Sequence, residues 1–427
     1  MRDEGLSDEP FRQWMKSEWL LVVITVGIGI DSFPFLLTGH FPQFAPLSGT
    51  RFIVIPGLAL AFLRRPSWLT KPHAIGFAYL VTLLIGGGLG WLAGTVSTGR
   101  LTTLIVNGVI LLYYLDVRSL NSLRHVLAIT FVLSIGVPIV QDLTALGILS
   151  EAWLVSIGAS PGGGRVFSIF DTTTPGFIPL MIPACLGGLI FLQGRARRPT
   201  VAALLAAALI IFGSTSALVA QQRTGTLAYL VSLFAAVLLY VRRHGKQLVW
   251  LLVGFGLVSA LAADTARRVL LPATERFSDA AGYEDAKGLR LGGFLTFLSD
   301  FSENPLNLVP IGGDSLLERA GVAPHLLVSE AYYSGGPLFL AVILALLFKF
   351  AQASLRLAWS SDPGARTIGN CLCAFGAGAA IEIMLQTALG LRIVPLMIGV
   401  AIAGERVLRA KARTAPVRPV SRVAGAR

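Results

Sequence analysis

The chain has 427 residues, of which 54% are hydrophobic and only 14% charged, and its mean hydropathy is +0.72. Soluble domains carry about 25% charged residues, so this composition excludes an ordinary soluble enzyme and points to an all-α integral membrane protein with many spans. The formal net charge of +12 would suit nucleic acid, but basic residues also gather at the cytoplasmic ends of membrane helices, so their placement decides between the two.

A hydrocarbon core about 30 Å thick asks for about 20 apolar residues per spanning helix. In chain order, such segments lie at 18–38, 47–63, 74–94, 101–115, 125–148, 176–193, 200–217, 224–241, 248–263, 335–352, 367–388 and 391–405. The fourth and the last are short, which leaves eleven or twelve spans. The first run has no cleavage site after it and reads as a retained helix.

With the N-terminus in the cytoplasm, 24 of the 35 Lys and Arg residues fall on the inside and 11 outside, as the positive-inside bias requires. The chain then divides into a cytoplasmic N-terminus (1–17), nine helices (18–263), a large extracytoplasmic loop (264–334), three further helices (335–405) and a basic cytoplasmic tail (406–427). The tail reads as a topology anchor near anionic lipid, and nucleic acid is not an expected partner.

Two acids fall within predicted spans. Asp31, near Pro34, suits a helix break open to water, whereas Glu382 lies deeper, four residues before Gln386. Acids within a membrane are costly and face the bundle interior or a cavity, so Glu382 is either a packing contact or a substrate-binding residue. The 71-residue loop at 264–334 holds ten of the chain's 23 acids. Within it "LRLGGFLTFLSDF" reads as an amphipathic helix able to lie on the membrane surface, and "NPLNLVPIGGD" as a turn. Cys185, Cys371 and Cys373 all fall in apolar runs, and the five histidines are scattered, so neither a disulfide nor a metal site is expected. The glycine-rich runs "IGGGLG" and "SPGGGR" lack the context of a nucleotide loop, and no cofactor is implied.

The order of "QQRTGTLAYLVSLFAAVLLYV", "ERF", "GLRLGGFLTFL", "ENPLNLVPIGGD" and "APHLLVSEAYYSGGPLF" resembles the O-antigen ligase and Wzy-type O-antigen polymerase superfamily. The motifs cover roughly residues 160–350 and the remainder is similar only in hydropathy. The resemblance implies a glycosyltransferase of the bacterial cytoplasmic membrane. Its donor would be a polyprenyl-diphosphate-linked glycan, such as one on undecaprenyl diphosphate, and its acceptor a second glycan or lipid A core. Membrane lipids and other polysaccharide-assembly proteins would be its surroundings.

Carried over by position, Arg223, Arg290 and His325 match the family's functional residues. Ala220, Gln221 and Gln222 stand where many relatives have serines. Arg165, followed eleven positions later by Gly176, resembles an Arg-x10-Gly pattern of some polymerases and marks a substrate contact.

The chemistry asks for the same residue types. Breaking the anomeric C–O bond of a sugar diphosphate builds negative charge on the departing diphosphate, which guanidinium groups hold in bidentate fashion. Arg223 and Arg290 suit that role, with Arg276 of "ERF" as a further substrate-binding candidate. His325 could take the acceptor's proton or orient the acceptor. Taken singly, Arg223 equally suits a snorkelling charge at a helix start, and Arg290, Arg276 or Arg165 a solvated loop charge. Polymerase and ligase share these parts; Arg165 and Gly176 favour the polymerase. A transporter or flippase of lipid-linked sugars is the rival class, and a non-catalytic precursor-binding relative is a third reading. Against the transporter, the two halves show no internal repeat.

The charge asymmetry has a direct check. A cysteine introduced at Ser278 is expected to react with an impermeant thiol reagent added outside, and one at Ser119 is not. The reverse labelling pattern would invert the topology.

Overall fold

The computed structural model describes residues 18–30, 53–67, 73–145, 148, 210, 225–239, 253, 280–313, 326–385 and 389–414. All regular structure among these residues is helical. The helices are α1 (Trp19–Ile30), α2 (Ile55–Arg64), α3 (Ala74–Leu92), α4 (Thr98–Leu115), α5 (Leu120–Ala145), α6 (Gly225–Leu239), α7 (Ala280–Glu303), α8 (Leu327–Ala358), α9 (Pro363–Leu385) and α10 (Ile393–Thr414). The predicted span at 176–193 lies outside the described residues, as do those at 200–217 and 248–263 except for positions 210 and 253.

Among the described residues, four helices are long and apolar enough to cross a membrane: α3, α4, α8 and α9 up to Met384. They overlap the predicted spans at 74–94, 101–115, 335–352 and 367–388. The short apolar run at 101–115 becomes a full 18-residue helix because Ser97 and the turn after it add to its start; the Ser97 hydroxyl accepts the Arg100 N–H at 3.2 Å and caps the helix. The start of α9 is built in a similar way. Pro363 stands in the first turn, where its missing N–H costs nothing, and the Asp362 carboxylate accepts the Ala365 N–H at 3.0 Å. Only the first part of α10 is apolar, since "ERVLRAKART" ends it.

The hub of the described bundle is α8, which packs against α3, α9 and α10, while α10 also packs along α4. Small residues permit the closest crossing. A Cβ on Gly86 of α3 would overlap the backbone carbonyl of Gly335 in α8, and beside it Tyr79 and Phe339 meet edge to face at 5.0 Å between centroids. Close approach of this kind is the main source of packing energy between helices in lipid, where burial of apolar surface gains little. The helix faces turned away from the bundle carry exposed Leu84, Leu92, Leu344 and Phe348. Such a surface would aggregate in water and suits contact with acyl chains.

The two ends of the bundle differ. At one, Arg356 and Arg409 both pair with Glu405, Lys411 pairs with Asp362, and Arg406 donates to the Val117 carbonyl at 3.2 Å. Arg100 and Arg392 mark the other end, where the loops 93–97, 304–312 and 389–392 converge.

The α3–α8 crossing generates a stability test. Gly86→Val drives a side chain into the α8 backbone and is expected to cost at least about 1–3 kcal/mol, the range for overpacking. Gly88→Ala, where a Cβ meets nothing within 4 Å, is expected to be neutral or slightly stabilising. Melting of the two purified variants in detergent checks the contrast, and equal melting temperatures would remove the crossing from the core.

Candidate functional site

The sequence places the stretch "LVSEAYYS", 327–334, in the large, partly helical loop, with a span beginning at 335. In the structure α8 starts at Leu327 and runs through this stretch, with Leu327, Ser329, Glu330, Ala331, Tyr332 and Tyr333 all buried. The polar groups can be helical and buried because Ser329 bonds the Leu326 carbonyl at the helix start and Glu330, Tyr332, Tyr333 and Ser334 find partners from elsewhere in the chain. The expected boundary survives as a kink: Gly336 has φ 76°, ψ −175° and is followed by Pro337. Glycine adopts positive φ without strain, and the proline ring excludes the regular bond to residue 333.

Glu330 is the centre of this network, with a side chain only 1% exposed. Nη2 of Arg100, in the first turn of α4, donates to its Oε1, and the Leu389 N–H donates to its Oε2 at 2.9 Å. Arg100 Nε also donates to the Ser334 hydroxyl at 3.2 Å. One layer below, Asn107 Nδ2 donates to the Leu389 carbonyl at 2.5 Å, and Arg392 Nη1 donates to Asn107 Oδ1 and to the Gly390 carbonyl, both at 2.9 Å. A buried carboxylate is tolerable only when paired and hydrogen-bonded in this way. Beneath the network lies a cavity of about 20 Å³ lined by Tyr79, Asn107, Leu327, Leu389 and Pro395 among others. That is room for about one water, so this cavity is too small to hold a lipid-linked sugar.

The amphipathic segment "LRLGGFLTFLSDF" is helical as expected, within α7. Its inner face packs on α8: Phe297 and Phe301 each meet the Tyr332 ring edge to face at 5.7 Å. Asp300, itself buried, accepts from the Tyr333 hydroxyl, and the Tyr332 hydroxyl donates to the Asn304 carbonyl at 3.1 Å. Leu291, Leu295 and Leu298 stay exposed along the other side of α7.

The following "NPLNLVPIGG" is a turn, as its composition predicts, and it docks on the loop after α3. The Thr95 hydroxyl donates to the Pro310 carbonyl at 2.7 Å. Gly312, at φ 88°, lies so close to the Thr95 carbonyl that a Cβ would overlap it. This juxtaposition accounts for a glycine at that place in the motif.

Of the residues singled out from sequence, Arg290 is carried by α7, ten residues and about 15 Å of helical rise before Asp300. Glu382 is fully buried inside α9, on the bundle interior as expected for an acid in a span; Gln386 lies outside the described residues. His325, Arg223, Arg165, Arg276 and Asp31 also lie outside them. His325 immediately precedes Leu326, the residue that caps α8, and Arg223 stands two positions before α6. Sequence reasoning missed Arg100 and Arg392. Both are among the 11 cations left on the predicted outer side; Arg100 directly precedes the predicted span 101–115 and Arg392 is the second residue of the span 391–405, places where an arginine is easily passed over as a snorkelling charge.

Among the described residues, no group of His, Cys, Asp and Glu side chains is placed to hold a metal ion. What the site offers is cationic: two arginines at the end of an apolar bundle, held by buried acceptors, beside the loop turn and the kinked helix. Neither the models of known protein families nor the functionally characterised proteins include a match to this chain.

The contact between Asp300 and Tyr333 joins α7 to α8. Tyr333→Phe removes one hydrogen-bond donor from a buried carboxylate and is expected to cost about 1–3 kcal/mol. Limited proteolysis of the purified variant should cut within 280–313 faster than in the parent protein. An unchanged cleavage rate would show that α7 is held by its aromatic contacts alone.

Proposed function

We propose that this chain is a polysaccharide polymerase of the O-antigen ligase and Wzy superfamily: a bacterial cytoplasmic-membrane glycosyltransferase with eleven or twelve spans and both termini in the cytoplasm. Its substrate is a glycan linked to a polyprenyl diphosphate, and its reaction takes place on the outer face. The observation that carries the reading is the convergence of two independent features. The described parts of the segment that bears the motif resemblance, 303–313 and 326–336, pack against the end of the bundle that presents Arg100 and Arg392. Cations at a membrane boundary, next to the α7 helix packed on the start of α8, suit a substrate whose diphosphate sits between a lipid tail and a soluble glycan. The basic residues at the opposite end, Arg356, Arg406, Arg409 and Lys411 among them, suit a cytoplasmic face.

In this mechanism the acceptor hydroxyl attacks the anomeric carbon of the donor sugar. The bond from that carbon to the diphosphate oxygen breaks, and the polyprenyl diphosphate leaves with the electron pair. His325 takes the acceptor's proton, while Arg223 and Arg290, with Arg276 and Arg165 as further contacts, hold the donor through its diphosphate and glycan. Glu382, buried in α9, is a candidate contact for the lipid-linked substrate. Transfer to lipid A core in place of a second lipid-linked glycan would make the protein a ligase with the same parts.

The test is turnover of purified protein with lipid-linked donor. Arg223→Lys and Arg290→Lys are each expected to lose most activity, because a point ammonium cannot replace a bidentate fork. His325→Ala and His325→Gln are both expected to fall by roughly 10²- to 10⁴-fold, the range of a general base. Near-normal turnover in the Gln variant would reduce His325 to an orienting group, and full activity in all four would remove the assignment. In cells, loss of the gene is expected to leave single-repeat chains on surface polysaccharide; bare core with accumulated lipid-linked polymer would identify a ligase.

A further inference from the structure

We propose that Arg100 is a further diphosphate-binding residue, presented at the open end of the bundle by the buried carboxylate of Glu330; the proposal rests on the lipid-linked-donor reading above. A guanidinium has five N–H donors in a fixed plane. Glu330 engages Nη2 of Arg100 and Ser334 engages Nε, which fixes that plane from one edge. Both hydrogens of Nη1 and the second of Nη2 make no hydrogen bond among the described residues, and they form the edge that matches two oxygens of a phosphate. The side chain is 29% exposed, against 1% for Glu330, so the charge is held from below and open from above.

The neighbouring residue is a glycine. Gly390 runs alongside Nη1, and the position its Cβ would occupy is 3.7 Å away, so a larger side chain there would crowd the approach. The arrangement also links the anion site to the rest of the machinery. Glu330 lies five residues after His325 and one turn before Ser334 on the same helix, and its second oxygen holds the Leu389 N–H. A phosphate drawn to Arg100 is therefore registered against the helix that His325 precedes.

The experiment is equilibrium binding of undecaprenyl diphosphate, without a glycan, to the purified full-length protein in detergent. Arg100→Gln is expected to weaken binding about ten- to hundredfold, the loss of one charge-assisted contact. Glu330→Gln carries the sharper sign. If Glu330 only dilutes a positive field, removing its charge must tighten anion binding; if it positions Arg100, binding must weaken even though the site has become more positive. Unchanged binding in Arg100→Gln, or tighter binding in Glu330→Gln, overturns the proposal.

The double variant Arg100→Gln with Glu330→Gln leaves no stranded charge and is expected to melt like the parent protein while binding as weakly as Arg100→Gln. If it binds like the parent, or if it too fails to fold, Arg100 is a structural cation and the proposal is overturned. Parent protein that does not bind the diphosphate at all removes the lipid-linked-donor reading and this one together. Parent protein that binds, with Arg100 variants unaffected, removes only this one.

Discussion

A carboxylate withdrawn from water must be met by charge and by hydrogen bonds, and this requirement at Glu330 organises the end of the bundle. One oxygen takes Arg100 from α4 and the other takes the backbone at Leu389, just before α10. Asn107 then holds the Leu389 carbonyl, and Arg392 holds Asn107. Three elements far apart in the chain are registered through one acid. Breaking such a pair is costly because the surviving charge stays buried, so the geometry of this end is more strongly fixed than apolar packing between the same helices would make it.

The kink in α8 follows from the same requirement. A straight continuation of the helix would have to place the polar stretch 327–334 and the apolar stretch after it on one axis. Gly336 and Pro337 separate the two. The first part lies among polar partners and carries Glu330, Tyr332, Tyr333 and Ser334; the second descends along α3 and α9 as an apolar span. Around the bend pack α7 and the turn at 304–312, whose Asn307 and Leu308 carbonyls lie 3.4 Å from where a Gly336 Cβ would stand. Both loop elements are thus placed by contacts with α8 and with the loop after α3, and Arg290 is carried on the helix they hold.

At the opposite end the charges make a different structure. Glu405 sits between Arg356 and Arg409, and Lys411 reaches Asp362 at the start of α9. These pairs are partly solvated; Arg356–Glu405 and Lys411–Asp362 join neighbouring helix ends, while Arg409–Glu405 spans one turn of α10. As surface pairs they contribute about 0–1 kcal/mol each, and they leave an excess of cations on that surface.

The spans were legible in the sequence because a helix in hydrocarbon must be apolar along its own length, a local property that 74–92, 98–115 and 363–385 all display. The helical character of α7 and the turn after it were legible for a similar reason, since periodic leucines and an Asn-Pro pair act through their immediate neighbours. The start of α8 and the importance of Arg100 and Arg392 were not. "SEAYYS" reads as loop because its polarity has no local remedy, and the remedy comes from Arg100, 230 positions away, and from Leu389, 59 positions away. Hydropathy by itself determined that the chain is apolar and that the described helices α3, α4, α8 and α9 are long and apolar enough to cross a membrane. Only the tertiary structure decided which polar residues are buried together, because pairing across the bundle depends on helix crossings and a backbone kink that leave no periodic trace in the sequence.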